Sequence, residues 1–185
     1  MTLPVETTNR DGVLRICINR HEKRNALSMA TLDAIAAAFD GAASDEDLRL
    51  AVLTGAGEKS FAAGGDLKEL ASVKGEEAAI RMATHAKAAL ATVRNFPLPV
   101  VAALNGDALG GGAELAMACD MRIAASHARI GFIQGKLGIT SAWGGGVDLM
   151  RLIGPARALQ MMTRIEVLAP ADARAMGLYN AVADA

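Results

Sequence analysis

The fold of this 185-residue chain is decided by the stretch Asn105-Gly-Asp-Ala-Leu-Gly110-Gly-Gly-Ala-Glu-Leu-Ala-Met-Ala118. An apolar run typical of a buried strand, Val100 to Leu104, precedes it, and helix-forming residues from Ala113 to Ala118 end it. A strand, a glycine turn and a helix in this order place the turn where ligands bind in α/β sheets. The turn is either a site for negative charge or a carbonyl oxygen, or only a tight connection that allows close packing.

The remaining sequence predicts alternating strands and helices. Strands are predicted at Gly12 to Arg20, Leu48 to Leu53, Met121 to Ala124 and Arg129 to Ile133. Helices are predicted at Met29 to Phe39 after a Ser28 cap, and at Glu76 to Val93, Val147 to Ile153, Pro155 to Thr163 and Pro170 to Met176. Strand, helix and strand in succession imply parallel pairing, and no repeat or linker interrupts the chain. We therefore expect one α/β domain that covers residues 1–185.

Composition excludes several classes of partner. The chain carries 19 basic and 20 acidic side chains, a formal net charge of -1, and so lacks the basic patch that nucleic acid or an anionic membrane surface would need. No apolar stretch approaches the roughly 20 residues of a membrane-spanning helix. Cys17 and Cys119 lie far apart without a signal peptide, which favours reduced thiols and a cytoplasmic location. The three histidines are scattered, so no metal site is predicted.

A second glycine turn and one glutamate are the candidate functional elements. The segment Phe61-Ala-Ala-Gly-Gly-Asp66 offers backbone N–H groups that, together with those of Gly110 to Gly112, would form a pair of convergent donors. Glu114 follows the triple glycine among apolar neighbours. It is either a buried general acid or base, or a first-turn glutamate that complements the helix dipole in solvent.

Five segments together resemble a known family. They are Asn19 to Ser28, Phe61 to Leu70, Asn105 to Asp120, Gly138 to Gly146 and Gly177-Leu178. The chain resembles the enoyl-CoA hydratase/isomerase superfamily, the crotonases. The resemblance implies a repeated ββα spiral core that binds a coenzyme A thioester and holds its acyl carbonyl with the N–H groups of Gly65 and Gly111. Those donors would stabilise the charge of a thioester enolate.

The resemblance also implies further site residues and partners. Coenzyme A contacts would come from Lys23, Arg24, Ala26, Ala63, Gly65, Asp66, Leu67 and Lys68, and the acyl pocket would include Leu109 and Trp143. Coenzyme A is then part of the substrate, and no separate cofactor is expected. The family resemblance further implies a homo-oligomer, a trimer or a dimer of trimers, with neither nucleic acid nor a membrane as partner.

The first of two departures from the family pattern leaves the reaction open. Hydratases of the family use two glutamates; Glu114 matches the first, but the second position is Gln134, whose amide cannot exchange a proton at neutral pH. Trp143 stands where typical hydratases have a smaller residue and would narrow the acyl pocket. We expect hydration of a 2-enoyl-CoA by default; the alternatives are an acyl-CoA decarboxylase, an enoyl-CoA isomerase and a non-catalytic acyl-CoA binding protein.

The second departure is length. Family members generally continue beyond the segment matched by 177–182 into C-terminal helices, whereas this sequence ends at residue 185. We therefore expect a crotonase-like core that lacks this helical segment, exposes apolar surface and self-associates.

Overall fold

Strands and helices alternate along residues 3–184, the part of the chain that the computed structural model describes. The strands are β1 Val5–Arg10, β2 Val13–Ile18, β3 Leu50–Gly55, β4 Ser60–Ala62, β5 Val100–Leu104, β6 Asp107–Leu109, β7 Met121–Ala125, β8 Ile130–Gly131, β9 Val167–Leu168 and β10 Ala181–Ala183. The helices are α1 Met29–Ala42, α2 Leu67–Ser72, α3 Glu76–Arg94, α4 Gly111–Ala118, α5 Gly145–Ile153, α6 Pro155–Arg164 and α7 Pro170–Ala175. Short 3₁₀ turns cover His21–Lys23 and Gln134–Leu137. The α/β prediction is confirmed.

The chain moves back and forth between two sheets. The larger sheet has the order β1-β2-β3-β5-β7-β10, and the smaller one has the order β4-β6-β8-β9. All neighbours in the larger sheet are parallel except β1 and β2. The pairs β3-β4, β5-β6 and β7-β8 each place one strand in each sheet before the chain enters a helix. This is the repeated ββα arrangement that the family resemblance implied.

Helix α1 forms where the sequence predicted it, because cap and apolar spacing agree. The Ser28 Oγ accepts a hydrogen bond from the backbone N–H of Thr31 at 3.2 Å, which satisfies one of the free donors at the helix start. Leu32, Ile35 and Phe39 recur at helical spacing and are buried. Helix α1 packs against α3, and the ring of Phe39 meets that of Phe96 edge to face.

The shortest strands were missed by the sequence analysis. Two or three residues, as in β4, β6, β9 and β10, are too few to show a period of two. The omission of β6 matters, because the triple glycine follows β6 in the smaller sheet and does not follow β5 directly. Strand β1 was missed although an Asp11-Gly12 turn, with both φ angles positive, joins it to β2.

Helix α4 is buried along its whole length, and both of its ends are fixed. At its N-terminal end, a Cβ on Gly112 would overlap the carbonyl oxygen of Ala62 in β4, so only glycine permits this approach. At its C-terminal end, the buried guanidinium of Arg122 donates to the carbonyl oxygens of Cys119 and Leu178 at 2.8 and 2.7 Å. In the described range no helix is both long and apolar enough to cross a membrane.

Candidate active site

The two glycine turns meet at the N-terminal end of α4. A Cβ on Gly64, whose φ is +107°, would lie 3.2 Å from the Leu109 carbonyl oxygen and 3.6 Å from the Gly111 nitrogen. Within residues 3–184, neither the Gly65 N–H nor the Gly111 N–H donates a hydrogen bond. The structure therefore brings together two free backbone donors, which is what binding an oxyanion requires.

Glu114 lies beside these donors and is buried, with 2% of its surface exposed. Its Oε2 accepts hydrogen bonds from the Ser141 hydroxyl at 2.7 Å and from the N–H groups of Trp143 and Gly145 at 3.0 and 2.9 Å. Its Oε1 accepts one from the Gln134 amide at 2.9 Å. The interpretation of Glu114 as a first-turn glutamate in solvent is wrong, since protein groups surround the carboxylate.

The hydrogen bonds distinguish the two carboxylate oxygens of Glu114. A carboxylate has about four acceptor positions. Three donors occupy Oε2, whereas Oε1 meets a single donor, and Glu114 and Gln134 both line the cavity. The Oε1 atom is therefore the one available to a reacting water or carbon-bound proton. Because the first turn of α4 carries the positive end of the helix dipole, it also favours the negative charge of this side chain.

A cavity of about 560 Å³ opens in front of the glycine turns. This volume is in the usual range for small-molecule sites, and few polar groups converge in it. The apolar part of its wall comes from α2, α3 and the segment 133–143, through Leu70, Ile80, Met82, Ile133, Leu137 and Ile139. Such a wall suits an acyl or pantetheine group.

Trp143 forms one wall of the cavity and lies against both glycine turns. A Cβ on Gly65 would lie 3.4 Å from the ring, and one on Gly111 would overlap it. The Trp143 backbone is held on both sides, because its N–H donates to Glu114 and its carbonyl oxygen accepts from Arg94 Nη2 at 3.1 Å. Leu109, which was expected in the acyl pocket, is not among the described residues that line the cavity.

The residues that hold this arrangement in place were not predicted from the sequence. Arg94 Nε donates to Asp148 Oδ2 at 2.6 Å, which ties α3 to α5. The Ser141 hydroxyl both donates to Glu114 and accepts from the Gly146 N–H at 2.9 Å. A Gly-rich segment signals a turn, but nothing in it reveals that its N–H groups point at a carboxylate about 30 positions earlier.

Comparison with known proteins identifies the family. Residues 8–185 match the model of the family described as enoyl-CoA hydratase/isomerase. The chain belongs to this family. Relatives of this crotonase chain include rat mitochondrial methylglutaconyl-CoA hydratase, 38% identical over 96% of the chain and 56% of the relative. Another is crotonyl-CoA hydratase of Syntrophomonas wolfei, 41% identical over 89% of the chain and 63% of the relative.

Solved structures confirm the crotonase fold. The enoyl-CoA hydratase from Bacillus anthracis superposes with a TM-score of 0.93 at 36% identity, over 98% of this chain and 70% of that one. The enoyl-CoA hydratase from Thermoplasma volcanium gives a TM-score of 0.92 at 35% identity, over 100% of this chain and 73% of that one. The chain thus spans a little over half of its first curated relative and about 70% of these structures.

The residues that the crotonase resemblance assigned to coenzyme A fall into two groups. Ala63, Gly65 and Leu67 line the cavity. Asp66 instead caps α2, by accepting from the Lys68 N–H at 3.1 Å, and forms an ion pair with Arg20 Nη2 at 2.9 Å. The hydrogen bond from Arg20 is the main reason that the pKa of Asp66 is lowered. Asp66 thus has a clear structural role in this position.

The loop that carries Lys23, Arg24 and Ala26 lies directly beside the second glycine turn. The Ala63 N–H donates to the Arg24 carbonyl oxygen at 3.1 Å, and Leu27 pairs with Gly65 in a short parallel bridge. Lys23 and Arg24 are exposed. Their cationic groups therefore lie at the surface of this loop and are open to solvent.

Proposed function

We propose that this protein binds an acyl-CoA thioester and stabilises its enolate with the N–H groups of Gly65 and Gly111. The observation that carries the proposal is the pair of free donors beside the buried Glu114 in a largely apolar cavity. The names of the relatives, which are hydratases of enoyl-CoA and related thioesters, favour hydration of a 2-enoyl-CoA. Coenzyme A is part of this substrate, and the proposal needs no separate cofactor or metal.

In the proposed hydration, one titratable group serves both proton transfers. Glu114 Oε1 takes a proton from water while the water oxygen bonds to Cβ, and the electrons of the double bond move to the thioester oxygen. The two N–H groups stabilise the resulting enolate charge. Protonated Glu114 then returns the proton to Cα, so that water has been added. Because Gln134 donates its NH₂ group to Glu114, its carbonyl oxygen is left to orient the water.

The presence of an amide at Gln134 supports decarboxylation and isomerisation as alternative reactions. Loss of carbon dioxide from a malonyl-type thioester forms the enolate without a base and needs only one protonation of carbon. Isomerisation of an enoyl-CoA needs one group that removes a proton and returns it to another carbon, which Glu114 can do alone. Neither reaction requires a carboxylate at position 134. A non-catalytic acyl-CoA binding protein is the remaining alternative.

A substrate comparison tests the proposal. Crotonyl-CoA, a 3-enoyl-CoA and a malonyl-type CoA ester are incubated with the protein, and hydration, isomerisation and carbon dioxide release are measured separately. We expect hydration, reduced by roughly 10²–10⁴ in Glu114→Gln with thioester affinity nearly unchanged. If only the 3-enoyl-CoA or only the malonyl-type ester is turned over, isomerisation or decarboxylation replaces hydration as the proposed reaction. Binding without turnover would favour the binding protein, and the absence of thioester binding would refute the whole proposal.

Assembly and location also belong to the proposal. We propose a cytoplasmic homo-oligomer, a trimer or a dimer of trimers. The assembly is supported by a set of exposed apolar side chains on α5 and α6, which include Val147, Met150 and Leu159. Sedimentation velocity over a range of concentrations tests the assembly, and a monomer at every concentration would contradict it.

A further inference from the structure

A second cavity, of about 400 Å³, lies next to the proposed acyl site. The two cavities share four wall residues, Gly65, Leu70, Met82 and Trp143. Trp143 has the largest of these side chains and is 6% exposed. Its ring packs against Gly65 and Gly111, which carry the proposed oxyanion donors. Trp143 therefore stands between the second cavity and the place where the acyl group would begin.

The second cavity is suited to an aliphatic chain, although several polar residues line it. Each of its ionisable side chains already has a polar partner. Asp66 pairs with Arg20, Glu69 accepts from the Met29 N–H, Arg81 pairs with Glu77, and His85 pairs with Asp33. Leu27, Met29, Leu70 and Val73 supply the apolar part of the wall.

Two backbone hydrogen bonds hold the main chain at Trp143 in place. The backbone N–H binds Glu114 and the carbonyl oxygen binds Arg94, which is itself paired with Asp148. These bonds fix the main chain from which the ring projects, and the ring itself is confined by its packing against Gly65 and Gly111. The ring therefore fills the space between the two cavities.

We propose that Trp143 sets the upper limit of acyl length by closing the acyl site against the second cavity. This inference rests on the proposed binding of acyl-CoA thioesters. A short acyl group fits in front of the ring, whereas a longer chain has to turn back over the rim. Removal of the ring joins the two cavities and makes the second one the binding space for the distal carbons.

Binding of saturated thioesters tests this role without depending on turnover. Butyryl-CoA and octanoyl-CoA are titrated calorimetrically into the parent protein, Trp143→Ala and the conservative Trp143→Phe. Because each buried methylene strengthens binding severalfold, we expect Trp143→Ala to raise the ratio of octanoyl-CoA affinity to butyryl-CoA affinity about 10- to 100-fold over that of the parent. Trp143→Phe is expected to behave as the parent does.

A filling substitution provides the matched control. Val73 lines the second cavity and not the first. Val73→Phe alone is expected to leave both affinities unchanged, and in combination with Trp143→Ala it is expected to abolish the gain for octanoyl-CoA. A gain that survives in the double variant would place the chain elsewhere and overturn the inference.

The remaining outcomes separate this inference from the proposed function. If the parent already binds octanoyl-CoA 10-fold more tightly than butyryl-CoA, Trp143 is no limit and only the inference fails. If neither thioester binds to any folded variant, the proposed function fails. Circular dichroism checks folding; should Trp143→Ala not fold, Trp143→Leu replaces it, and the parent's comparison of the two thioesters still decides.

Discussion

Replacement of Gln134 by glutamate is the most direct test of how this site handles protons. The Gln134 amide donates to Glu114 Oε1 at 2.9 Å. In Gln134→Glu a second carboxylate occupies nearly the same volume, so the donor is lost and two like charges face each other. At this separation and an effective dielectric constant near 20, their repulsion is about 6 kcal/mol, equivalent to about four pKa units.

A repulsion of this size predicts that the two carboxyl groups of Gln134→Glu share one proton near neutral pH. The pair then restores the hydrogen bond and provides both a proton acceptor and a proton donor. We expect hydration of crotonyl-CoA to appear or increase, with a pH-rate profile that shows two ionisations where the parent shows at most one. The assay follows loss of the enoyl absorbance between about pH 5 and pH 9.

The free energy of unfolding is a second, independent measure of the contact between positions 134 and 114. A carboxyl whose pKa is raised in the folded state stabilises the fold at low pH, and this contribution is lost as pH rises through the raised value. The deficit of Gln134→Glu relative to the parent should therefore be small near pH 4 and grow towards pH 8 in urea unfolding. Gln160→Glu, at an exposed position of α6, is the matched control. An equal deficit at both pH values, together with an unchanged rate profile, would refute the reasoning.

Four further predictions follow from other contacts. Ser141→Ala removes one donor to a carboxylate and one acceptor of a backbone N–H, and should lower the free energy of unfolding by about 2 to 4 kcal/mol. The exposed Ser126→Ala should change it by less than about 0.5 kcal/mol in the same urea titration. Arg20→Gln should destabilise the fold at pH 7. Because the pKa of Asp66 is lowered by Arg20, the contribution of the ion pair is present above the ordinary carboxyl pKa of about 3.9 and is lost as pH falls below it. The difference from the parent should therefore shrink at low pH to the part that comes from the hydrogen bond of Arg20 to the Ala26 carbonyl oxygen. Burial raises the pKa of the Cys119 thiol to about 12, so a disulfide reagent at pH 8 should label it only after unfolding. Calorimetry should show binding of coenzyme A thioesters but not of free fatty acids; equal affinity for both would contradict the proposed donors.

The long helices and strands can be predicted from local patterns in the sequence. The spacing of Leu32, Ile35 and Phe39 identifies α1 because it follows the helical period, and the continuous apolar run at 100–104 identifies β5 as a buried strand. Strands such as β4 and β6 are three residues long, and their existence depends on a neighbouring strand from another repeat. No local period can reveal such a partner.

The residues of the site likewise divide into those that local patterns predict and those whose role depends on contacts distant in the sequence. The donors at Gly65 and Gly111 and the acid-base candidate Glu114 were predicted from glycine turns and family resemblance, and the structure places them together. The contact of Glu114 with Ser141 was not predicted, because it spans 27 positions and depends on how the segment 139–146 folds over α4. The pairing of Arg94 with Asp148 is equally invisible, since each residue alone is typical of a solvated helix end.

The close packing at Gly112 divides the site into one half that tolerates substitution and one half that does not. Even one methyl group there would push α4 away from β4, so the geometry of the anion-binding half is tied to the integrity of the core. The opposite half, from Gln134 to Thr140, lies largely at the surface, and substitutions there leave that core contact intact. Exchange of a few surface positions in this segment can therefore alter the proposed chemistry without disturbing the contact at Gly112, and directed evolution of the proposed reaction should accumulate its successful substitutions there.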